Sequence, residues 1–410
     1  MRLPQELIDH ILHMLQDDIL TLKACSLTCK AMFASTRHLI HQTLRLTFRN
    51  NQSVLTREDK VRHLRRNNHG TQLRFLSHLG ERGLLQYSQK LHIDMYCTFI
   101  PETLSPHLAY FQSLDRIHSL TIEQYDIISW ANHYKTCFLH FYPTLTSLTL
   151  HRPFYHYRLL LQFALQFPNL ENLSLEWLTP EEQPRADLPL PALIDQSPPL
   201  RGHLRMAGVH TVVQWPVDFA HELPNGINFR SVELEGFFGS TVHPALNGCA
   251  HSLESLTIVL FETGIGQLLL PITGLLANFP PIGYLQMHNL KLSQPLVLRR
   301  LALRMMFCQL SRFSLELIPR VIKTISSPVF CEFVLELSAL PSPFDGPSSV
   351  YWGGWGRIDR FLDNQFANRK DFRFIVRTDK LCDRETFERH AKKTFSFLEN
   401  RGCIHFETCP

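Results

Sequence analysis

Short apolar pairs recur at near-regular intervals along most of the chain after residue 90. In each pair, two apolar residues flank a single residue, as in Leu91-His92-Ile93 and Leu120-Thr121-Ile122. The later pairs begin at Leu148, Leu173, Leu204, Val232, Leu256, Leu285, Phe313 and Phe333. Successive pairs begin 20 to 31 residues apart. Alternation with a period of two predicts a short β-strand with one buried face at each pair.

The segments between these pairs are compatible with helices. Tyr157–Phe167, for example, contains Leu159, Leu160, Phe163 and Leu165. A strand–loop–helix unit cannot bury its apolar face alone, so neighbouring units must stack into a solenoid. The repeat length resembles that of leucine-rich repeats, about 20–29 residues per unit, in an irregular and divergent form. The expected fold class is therefore α/β, and the alternative is a mixed α/β domain whose strand spacing is coincidental.

The first fifteen residues form an unusually wide amphipathic pattern. Pro4 stands in the first turn of a predicted helix, where its missing N–H costs nothing. Seven apolar residues fill one arc of about 180° on a helical wheel, whereas packing on one core needs a stripe only somewhat wider than about 100°. The arc consists of Leu3, Leu7, Ile8, Ile11, Leu12, Met14 and Leu15. The pattern predicts a helix with two packing surfaces, one for its own domain and one for a partner.

Two further short helices are predicted directly afterwards. Asp17 and Asp18 can cap a helix over Ile19–Cys25, and a third helix starts at Cys29 and runs toward Ile40. Three short helices in about forty residues cannot bury a sufficient core alone. They must therefore pack on the rest of the chain, on another protein, or on both.

The pattern from Leu3 to about residue 41 resembles an F-box, in a form similar to that of large families from mushroom-forming fungi. The resemblance lies in Leu3-Pro4-x-Glu6-Leu7 and in Cys25-Ser26-Leu27-Thr28-Cys29-Lys30-Ala31-Met32-Phe33. It implies that the box binds the Skp adaptor of a cullin–RING ubiquitin ligase, while the remainder of the chain selects the protein to be ubiquitinated. The residues expected to bind the adaptor are Leu3, Pro4, Leu7, Ile8, Ile11, Leu12, Leu15, Leu22, Leu27 and Phe33. Which of them face the adaptor rather than the core of the box stays open at this point.

Four segments are expected along the chain. They are an F-box over residues 1–45, a helical linker over 46–89, a leucine-rich-repeat-like solenoid over 90–340, and a loop with a terminal capping α/β unit over 341–410. Proline-rich residues 184–200 and 341–356 predict loops. The terminal unit is expected to contain helix Arg357–Phe366, strand Phe372–Arg377, helix Arg384–Asn400 and a strand near Ile404–Phe406. The ending Phe397-Leu398-x-x-Arg401-Gly402-x-Ile404 is similar to that of the same fungal families.

The sequence favours a protein without a cofactor, a metal or a catalytic site. Cys25, Cys29, His38 and His41 have a C-x3-C…H-x2-H spacing, but buried thiols on helices explain the cysteines better than zinc. The ten cysteines include no C-x-x-C pair, which favours free thiols in a reducing compartment. No H-E-x-x-H, P-loop or G-x-S-x-G motif occurs, and the 22 histidines are scattered.

Charge and hydropathy argue against nucleic-acid and membrane partners. The net charge of +4 over 410 residues is too weak to indicate nucleic acid. The most basic stretch, Arg57–Arg82, is typical of an amphipathic linker helix, with RNA or DNA contact as the less favoured alternative. The longest uncharged run, Thr263–Leu290, is too interrupted by glycine and proline to span a membrane. No long apolar leader begins the chain, so an intracellular location, cytoplasmic or nuclear, is expected.

The leading functional hypothesis is a non-enzymatic adaptor of an SCF-type (Skp–cullin–F-box) ubiquitin ligase, which acts by holding a target near the ubiquitin donor. Its expected partners are the Skp adaptor, a cullin through that adaptor, and a protein target that the sequence does not identify. One alternative is a protein-interaction scaffold with no role in ubiquitination. Another is a hydrolase within the α/β domain, which would require a deep pocket with convergent polar groups.

Overall fold

The computed structural model describes residues 4–16, 18–48, 68–95, 114–123, 141, 143–151, 154–155, 163–176, 179–180, 200–207, 227–235, 249–260, 297–306, 312–338, 354–378 and 384–408. The chain divides into two compact units, Met1–Pro198 and Pro199–Pro410. The division falls in the proline-rich segment 184–200. Both units contain helices and parallel β-strands, so the expected α/β class is confirmed.

Three short helices begin the first unit, as the sequence predicts. They are α1 over Gln5–Met14, α2 over Ile19–Ser26 and α3 over Lys30–His41. Asp18 caps α2, because its carboxylate accepts a hydrogen bond of 3.0 Å from the backbone N–H of Thr21. Cys29 is the N-cap of α3 rather than its first residue, and its Sγ accepts a hydrogen bond from the N–H of Met32. Both α1 and α2 pack on α3.

The first unit contains a parallel sheet whose strands follow one another in chain order. The strands are β1 Thr43–Phe48, β2 Lys90–Met95, β3 Ser119–Glu123, β4 Ser147–His151 and β6 Asn172–Glu176, and a separate two-strand ladder joins β5 Phe154–Tyr155 to β7 Thr179–Pro180. In-register pairing aligns Leu91, Leu120, Leu148 and Leu173 across neighbouring strands. These leucines are buried and their sequence neighbours are not, as the period-two pattern predicts.

The segment expected as a helical linker from residue 46 begins inside a strand instead. Leu44 and Leu46 alternate with polar residues and are both buried, so β1 forms and pairs in parallel with β2. Farther along, the segment is helical, with α4 over Asn68–Glu81 and a 3-10 helix over Leu85–Tyr87. The start of the predicted helix at Arg57 lies outside the described residues. The strand arrangement thus begins at residue 43, well before residue 90.

The second unit has the same strand arrangement. Its described strands are β8 Leu200–Ala207, β9 Ile227–Glu235, β10 Ser255–Leu260, β11 Arg300–Met306, β12 Glu332–Ser338, β13 Arg373–Thr378 and β14 Ile404–Thr408. Each pairs in parallel with the next strand of the chain. The pairing aligns the buried residues Leu256, Leu301, Phe333, Phe374 and Ile404. An in-register succession of parallel strands is consistent with a solenoid-like repeat.

Two of the predicted apolar pairs do not lie in described strands. The pair at Leu285 falls outside the described residues. The pair Phe313-Ser314-Leu315 belongs to helix α5, Arg312–Lys323, so its assignment to a strand is wrong. Ile318, Val321 and Ile322 recur at helical spacing and are buried, and this longer pattern determines the element.

Helices and strands alternate at the end of the second unit. The helices are α6 over Trp355–Gln365, α7 over Arg384–Thr394 and α8 over Ser396–Asn400. The two predicted strands are confirmed as β13 and β14. The predicted helix from Arg384 to Asn400 is interrupted at Phe395, where α7 ends and α8 begins.

Two side chains connect α6 to the end of the chain. The buried carboxylate of Asp359 accepts hydrogen bonds from the backbone N–H groups of Phe397, at 2.9 Å, and Leu398, at 3.1 Å, and so caps the start of α8. Arg401 donates a hydrogen bond of 3.0 Å to the carbonyl oxygen of Phe366, directly after α6. The chain-end motif therefore has a structural role in this unit.

Candidate docking surface

Helix α1 carries two parallel apolar stripes with different environments. Leu12 is only 1% exposed, and its neighbours one turn away on the same stripe are partly buried. That inner stripe consists of Ile8, Leu12 and Leu15. The outer stripe consists of Leu7, Ile11 and Met14, which are 44%, 45% and 72% exposed. The wide arc of the sequence pattern therefore divides into a core-facing stripe and an exposed stripe.

The exposed stripe is accompanied by large apolar side chains from α2 and α3. Leu20 is 79% exposed and Leu27, in the turn before α3, is 87% exposed. Ile19 and Phe33 are about half exposed. We call this set the docking surface, and it consists of Leu7, Ile11, Met14, Ile19, Leu20, Leu27 and Phe33. Exposed apolar side chains in such number make these three helices the candidate interaction site among the described residues, because soluble proteins rarely leave large apolar patches uncovered.

A polar network holds α1 on α3. The hydroxyl of Ser35 donates to the carboxylate of Asp9, and the side-chain amide of Gln5 donates to both residues, at 2.8 Å to Asp9 and 3.0 Å to Ser35. These hydrogen bonds, led by that from Ser35, hold the pKa of Asp9 below its ordinary value. The network fixes the orientation of α1, and with it the exposed stripe.

Phe33 is held by its neighbour one turn along α3. The guanidinium of Arg37 lies 5.3 Å from the centre of the Phe33 ring and 6.0 Å from that of Tyr87, which belongs to the 3-10 helix before β2. A cation over an aromatic face contributes roughly 0.5–1 kcal/mol at an exposed site. Arg37 therefore holds an exposed ring of the docking surface and connects α3 to the segment that follows it.

Backbone contacts attach the end of α3 to the first sheet. The carbonyl oxygen of Gln42 accepts hydrogen bonds of 2.9 Å from the N–H groups of Gln89 and Lys90. The hydroxyl of Ser88 donates to the carbonyl oxygen of His41 at 3.0 Å. These bonds join the last residues of α3 to the start of β2, so α3 is held on the first sheet by hydrogen bonds as well as by the covalent chain.

Of the ten residues expected to bind an adaptor, the nine that the structure describes occupy three kinds of environment. Leu7, Ile11, Leu27 and Phe33 lie on the docking surface, and Pro4 is exposed just before α1. Ile8 and Leu15 are partly buried, whereas Leu12 and Leu22 are buried. The two buried leucines belong to the core of helices α1–α3, which we call the helical unit. Leu3 lies outside the described residues. The structure thus separates contact candidates from core residues within one sequence pattern.

Three members of the docking surface are absent from that expected set. They are Met14, Ile19 and Leu20. The signal for Met14 was its place at the edge of the apolar arc of α1. Ile19 and Leu20 open α2 side by side, so at most one of them can point into the core of so short a helix. Adjacent apolar residues at a helix start are therefore the signal that could have found them.

The strand face opposite the aligned leucines carries rows of charges in the second unit. Glu336 accepts hydrogen bonds from Arg304, at 2.7 Å, and Arg377, at 3.0 Å, and Arg377 also donates to Glu407 at 2.7 Å. Burial alone would raise the pKa of Glu336, but the two arginines hold that pKa below its ordinary value. A parallel row consists of Arg300, Glu332 and Arg373. Between the two rows lie the buried residues Ala302, Val334 and Ile375.

The corresponding face of the first unit carries two histidine–glutamate pairs in addition to an arginine–aspartate pair, Arg45 with Asp94 at 3.6 Å. The Nε2 atom of His92 lies 3.0 Å from Oε1 of Glu123, and the Nε2 atom of His151 lies 3.9 Å from Oε2 of Glu176. Burial lowers the pKa of His92, although the charge of Glu123 acts in the opposite direction. The strand faces of the two units therefore differ in the charged side chains that they carry.

The cysteine–histidine spacing does not produce a metal site among the residues that the structure describes. No group of three or more histidine, cysteine, aspartate or glutamate side chains in those ranges is placed to hold an ion. Cys29 is exposed and acts as the cap of α3, and Cys25 is partly buried. At the chain end, Cys403 is buried and Cys409 lies outside the described residues.

No protein-family model matches the chain, and no curated protein matches it. In the described ranges, no helix combines the length and the apolar character that crossing a membrane requires. The described residues have two distinctive surfaces. One is the docking surface on the three N-terminal helices, and the other is the charged face of the strands that follow them in the chain.

Proposed function

We propose that this protein is a target-recognition adaptor of an SCF-type ubiquitin ligase. The three N-terminal helices act as an F-box that binds the Skp adaptor, and through it a cullin. The parallel-strand units act as irregular leucine-rich repeats that bind the protein to be ubiquitinated. The chain performs no bond chemistry itself, and it accelerates transfer by raising the local concentration of acceptor lysines near the ubiquitin donor.

The observation that carries the proposal is the outer stripe of α1. Leu7, Ile11 and Met14 follow helical spacing and stay exposed, although the adjacent stripe around Leu12 is buried. Fully burying one large apolar side chain contributes about 1.5–3 kcal/mol. Several such side chains on one small unit supply enough free energy to dock a partner, and an amphipathic helix presenting a second apolar stripe is a common form of helix-in-groove recognition.

The strand faces support the second half of the proposal. Repeats that stack strands in register present long polar surfaces, which repeat proteins use to bind partners. In the second unit this surface is built from Arg–Glu rows, and in the first unit from His–Glu pairs and hydroxyl-bearing residues. The protein target is expected to bind on these strand faces.

The test is co-purification of the full-length chain with a purified Skp adaptor and a cullin. We expect the wild-type chain to retain both proteins and the Leu7→Asp/Ile11→Asp variant to retain neither. Val329→Asp, which changes an exposed apolar residue of the second unit, is the matched control and should bind as the wild type does. Circular dichroism of each variant checks that the helices are intact.

Each outcome separates the alternatives. Binding of Skp by the Leu7→Asp/Ile11→Asp variant at the wild-type level would exclude this docking mode. Retention of Skp without cullin would favour the scaffold without a ubiquitination role. Failure of the wild-type chain to bind Skp would overturn the ligase proposal and leave the repeat units as a free-standing binding module.

A further inference from the structure

The helices that form the docking surface have an unbalanced charge. Residues 19–42, which include α2 and α3, contain Lys23, Lys30 and Arg37 and no aspartate or glutamate. The acidic residues of the N-terminal segment are Glu6, Asp9, Asp17 and Asp18, all before residue 19 in the sequence. Asp9 and Asp18 are engaged in the hydrogen bonds that hold α1 and cap α2. The α2–α3 side of the surface is therefore positively charged.

On α2, the positive charge lies next to exposed apolar side chains. Leu20, Lys23 and Leu27 are separated by three and four residues, the spacing that places side chains on one face of a helix. All three are exposed. A partner that covers Leu20 and Leu27 must therefore also meet the ammonium group of Lys23.

The same spacing occurs on α3. Lys30, Phe33 and Arg37 are three and four residues apart, so they share one face of the helix. Lys30 and Phe33 are exposed, and Arg37 is partly buried with its guanidinium fixed over the Phe33 ring. The aromatic contact fixes the position of this charge before a partner arrives.

These cations are not neutralised by the described part of the helical unit. Within the described residues, neither Lys23 nor Lys30 takes part in an ion pair, in contrast to the arginines of the strand faces. The burial of His41, followed by the charges of Arg37 and Lys23, lowers the pKa of that histidine. Lys23 and Arg37 thus lie near enough to His41 for their charges to act on it.

We infer that the docking surface fits a partner whose apolar patch is bordered by carboxylates, which face Lys23, Lys30 and Arg37. The inference rests on the proposed function, and the partner is the Skp-type adaptor itself. Charges at the edge of an interface act mainly on the rate of association and on its salt dependence, whereas buried apolar contacts control dissociation. Lys23, Lys30 and Arg37 thus steer the partner, and the leucines and Phe33 hold it.

The experiment measures association and dissociation rates between the full-length chain and a purified Skp adaptor at about 50 mM and about 500 mM NaCl, where screening differs strongly. For the wild-type chain, we expect the association rate constant to fall roughly tenfold or more at the higher salt concentration, with a much smaller change in dissociation. The variant Lys23→Glu/Lys30→Glu should associate roughly tenfold more slowly at low salt and lose most of the salt dependence.

Two further variants keep the result interpretable. Lys23→Gln/Lys30→Gln removes charge without reversing it and should give an intermediate association rate. Lys370→Glu/Lys393→Glu changes exposed lysines of the second unit by the same charge and should behave as the wild type does. Circular dichroism establishes that each variant is folded.

Salt-independent association of the wild-type chain, or normal association of the charge-reversed variant, would overturn the inference and leave the proposed function standing. Absence of binding by the wild-type chain at both salt concentrations would overturn both. The two failures are therefore distinguishable in one set of measurements.

Discussion

The hydroxyl of Ser35 donates a hydrogen bond of 2.5 Å to the carboxylate of Asp9 and thereby fastens α3 to α1. The two residues are 26 positions apart, so the bond forms only when both helices are in place. Helices as short as these are marginal alone, because most helical stability in proteins comes from tertiary packing. A polar link of this kind therefore helps to keep Leu7 and Phe33 in one surface.

The Asp9–Ser35 bond predicts a defined pH dependence. Hydrogen bonds lower the pKa of Asp9 in the folded state below the ordinary 3.8, so its stabilising contribution is present above that value and is lost as the pH falls through the folded-state pKa. We expect Asp9→Asn to flatten the pH dependence of the helical unit's stability below about pH 4. Hydrogen exchange of α1 and α3 amides as a function of pH is the measurement.

Ser35→Ala provides the control for this prediction, because it removes the donor and keeps the carboxylate. It should raise the pKa of Asp9 toward its ordinary value and reduce the same pH-dependent contribution. An unchanged pH profile in both variants would mean that the bond does not stabilise the unit in solution.

The two stripes of α1 predict opposite results for the same chemical change. Leu12→Ala removes a buried side chain and should destabilise the helical unit by about 2–5 kcal/mol. Leu7→Ala changes a side chain that is half exposed and should cost less than about 1 kcal/mol, while weakening Skp binding. Local hydrogen exchange together with a binding assay separates the two effects. Equal destabilisation by both variants would contradict the division of the helix into inner and outer stripes.

The buried carboxylate of Glu336 is expected to stabilise the arginine–glutamate row of the second unit. Glu336→Ala removes the acceptor that Arg304 and Arg377 share, although Arg377 keeps Glu407 and Arg304 keeps Glu233, and it should reduce protection of β11–β13 amides by about 1–3 kcal/mol. The pKa of Glu336 is lowered in the folded state. The loss of amide protection in Glu336→Ala relative to the wild type should therefore be complete above pH 4.5, and it should shrink as the pH falls through the folded-state pKa of Glu336.

An exposed ion pair serves as the comparison for Glu336. Glu385 pairs with Arg389 on the surface of α7 at 3.3 Å, and exposed pairs contribute little. Glu385→Ala should therefore leave amide protection nearly unchanged. A similar loss of amide protection in Glu336→Ala and Glu385→Ala would show that burial does not increase the stabilising contribution of the arginine–glutamate row.

The different burial of two cysteines, Cys249 and Cys29, predicts which of them an alkylating reagent modifies in the folded chain. Burial raises the pKa of Cys249 to about 12, so almost no thiolate forms near pH 8. Cys29 is exposed at the start of α3. We expect iodoacetamide to modify Cys29 in the native chain and Cys249 only after unfolding, as read by peptide mass spectrometry. Rapid native labelling of Cys249 would contradict its placement in the core of the second unit.

Local patterns were sufficient to predict most of the described secondary structure. Pairs such as Leu120 and Ile122 alternate with polar residues, and a period of two is compatible with a half-buried strand but not with a helix. Asp18 before an apolar run predicted the start of α2, because capping depends only on residues within one turn. The prediction failed at Phe313, where the pair is part of a longer helical periodicity.

The α/β class, the three short N-terminal helices and the excess of apolar residues on α1 all follow from local sequence patterns. The burial of Leu12 and the exposure of Leu7 depend instead on where α3 packs, because both residues lie in one arc of α1. Tertiary packing also sets which arginine meets which glutamate: Arg304 and Glu336 are 32 residues apart and become neighbours through strand register. Local periodicity is encoded within a turn or two of chain, whereas burial and charge pairing depend on contacts between distant segments.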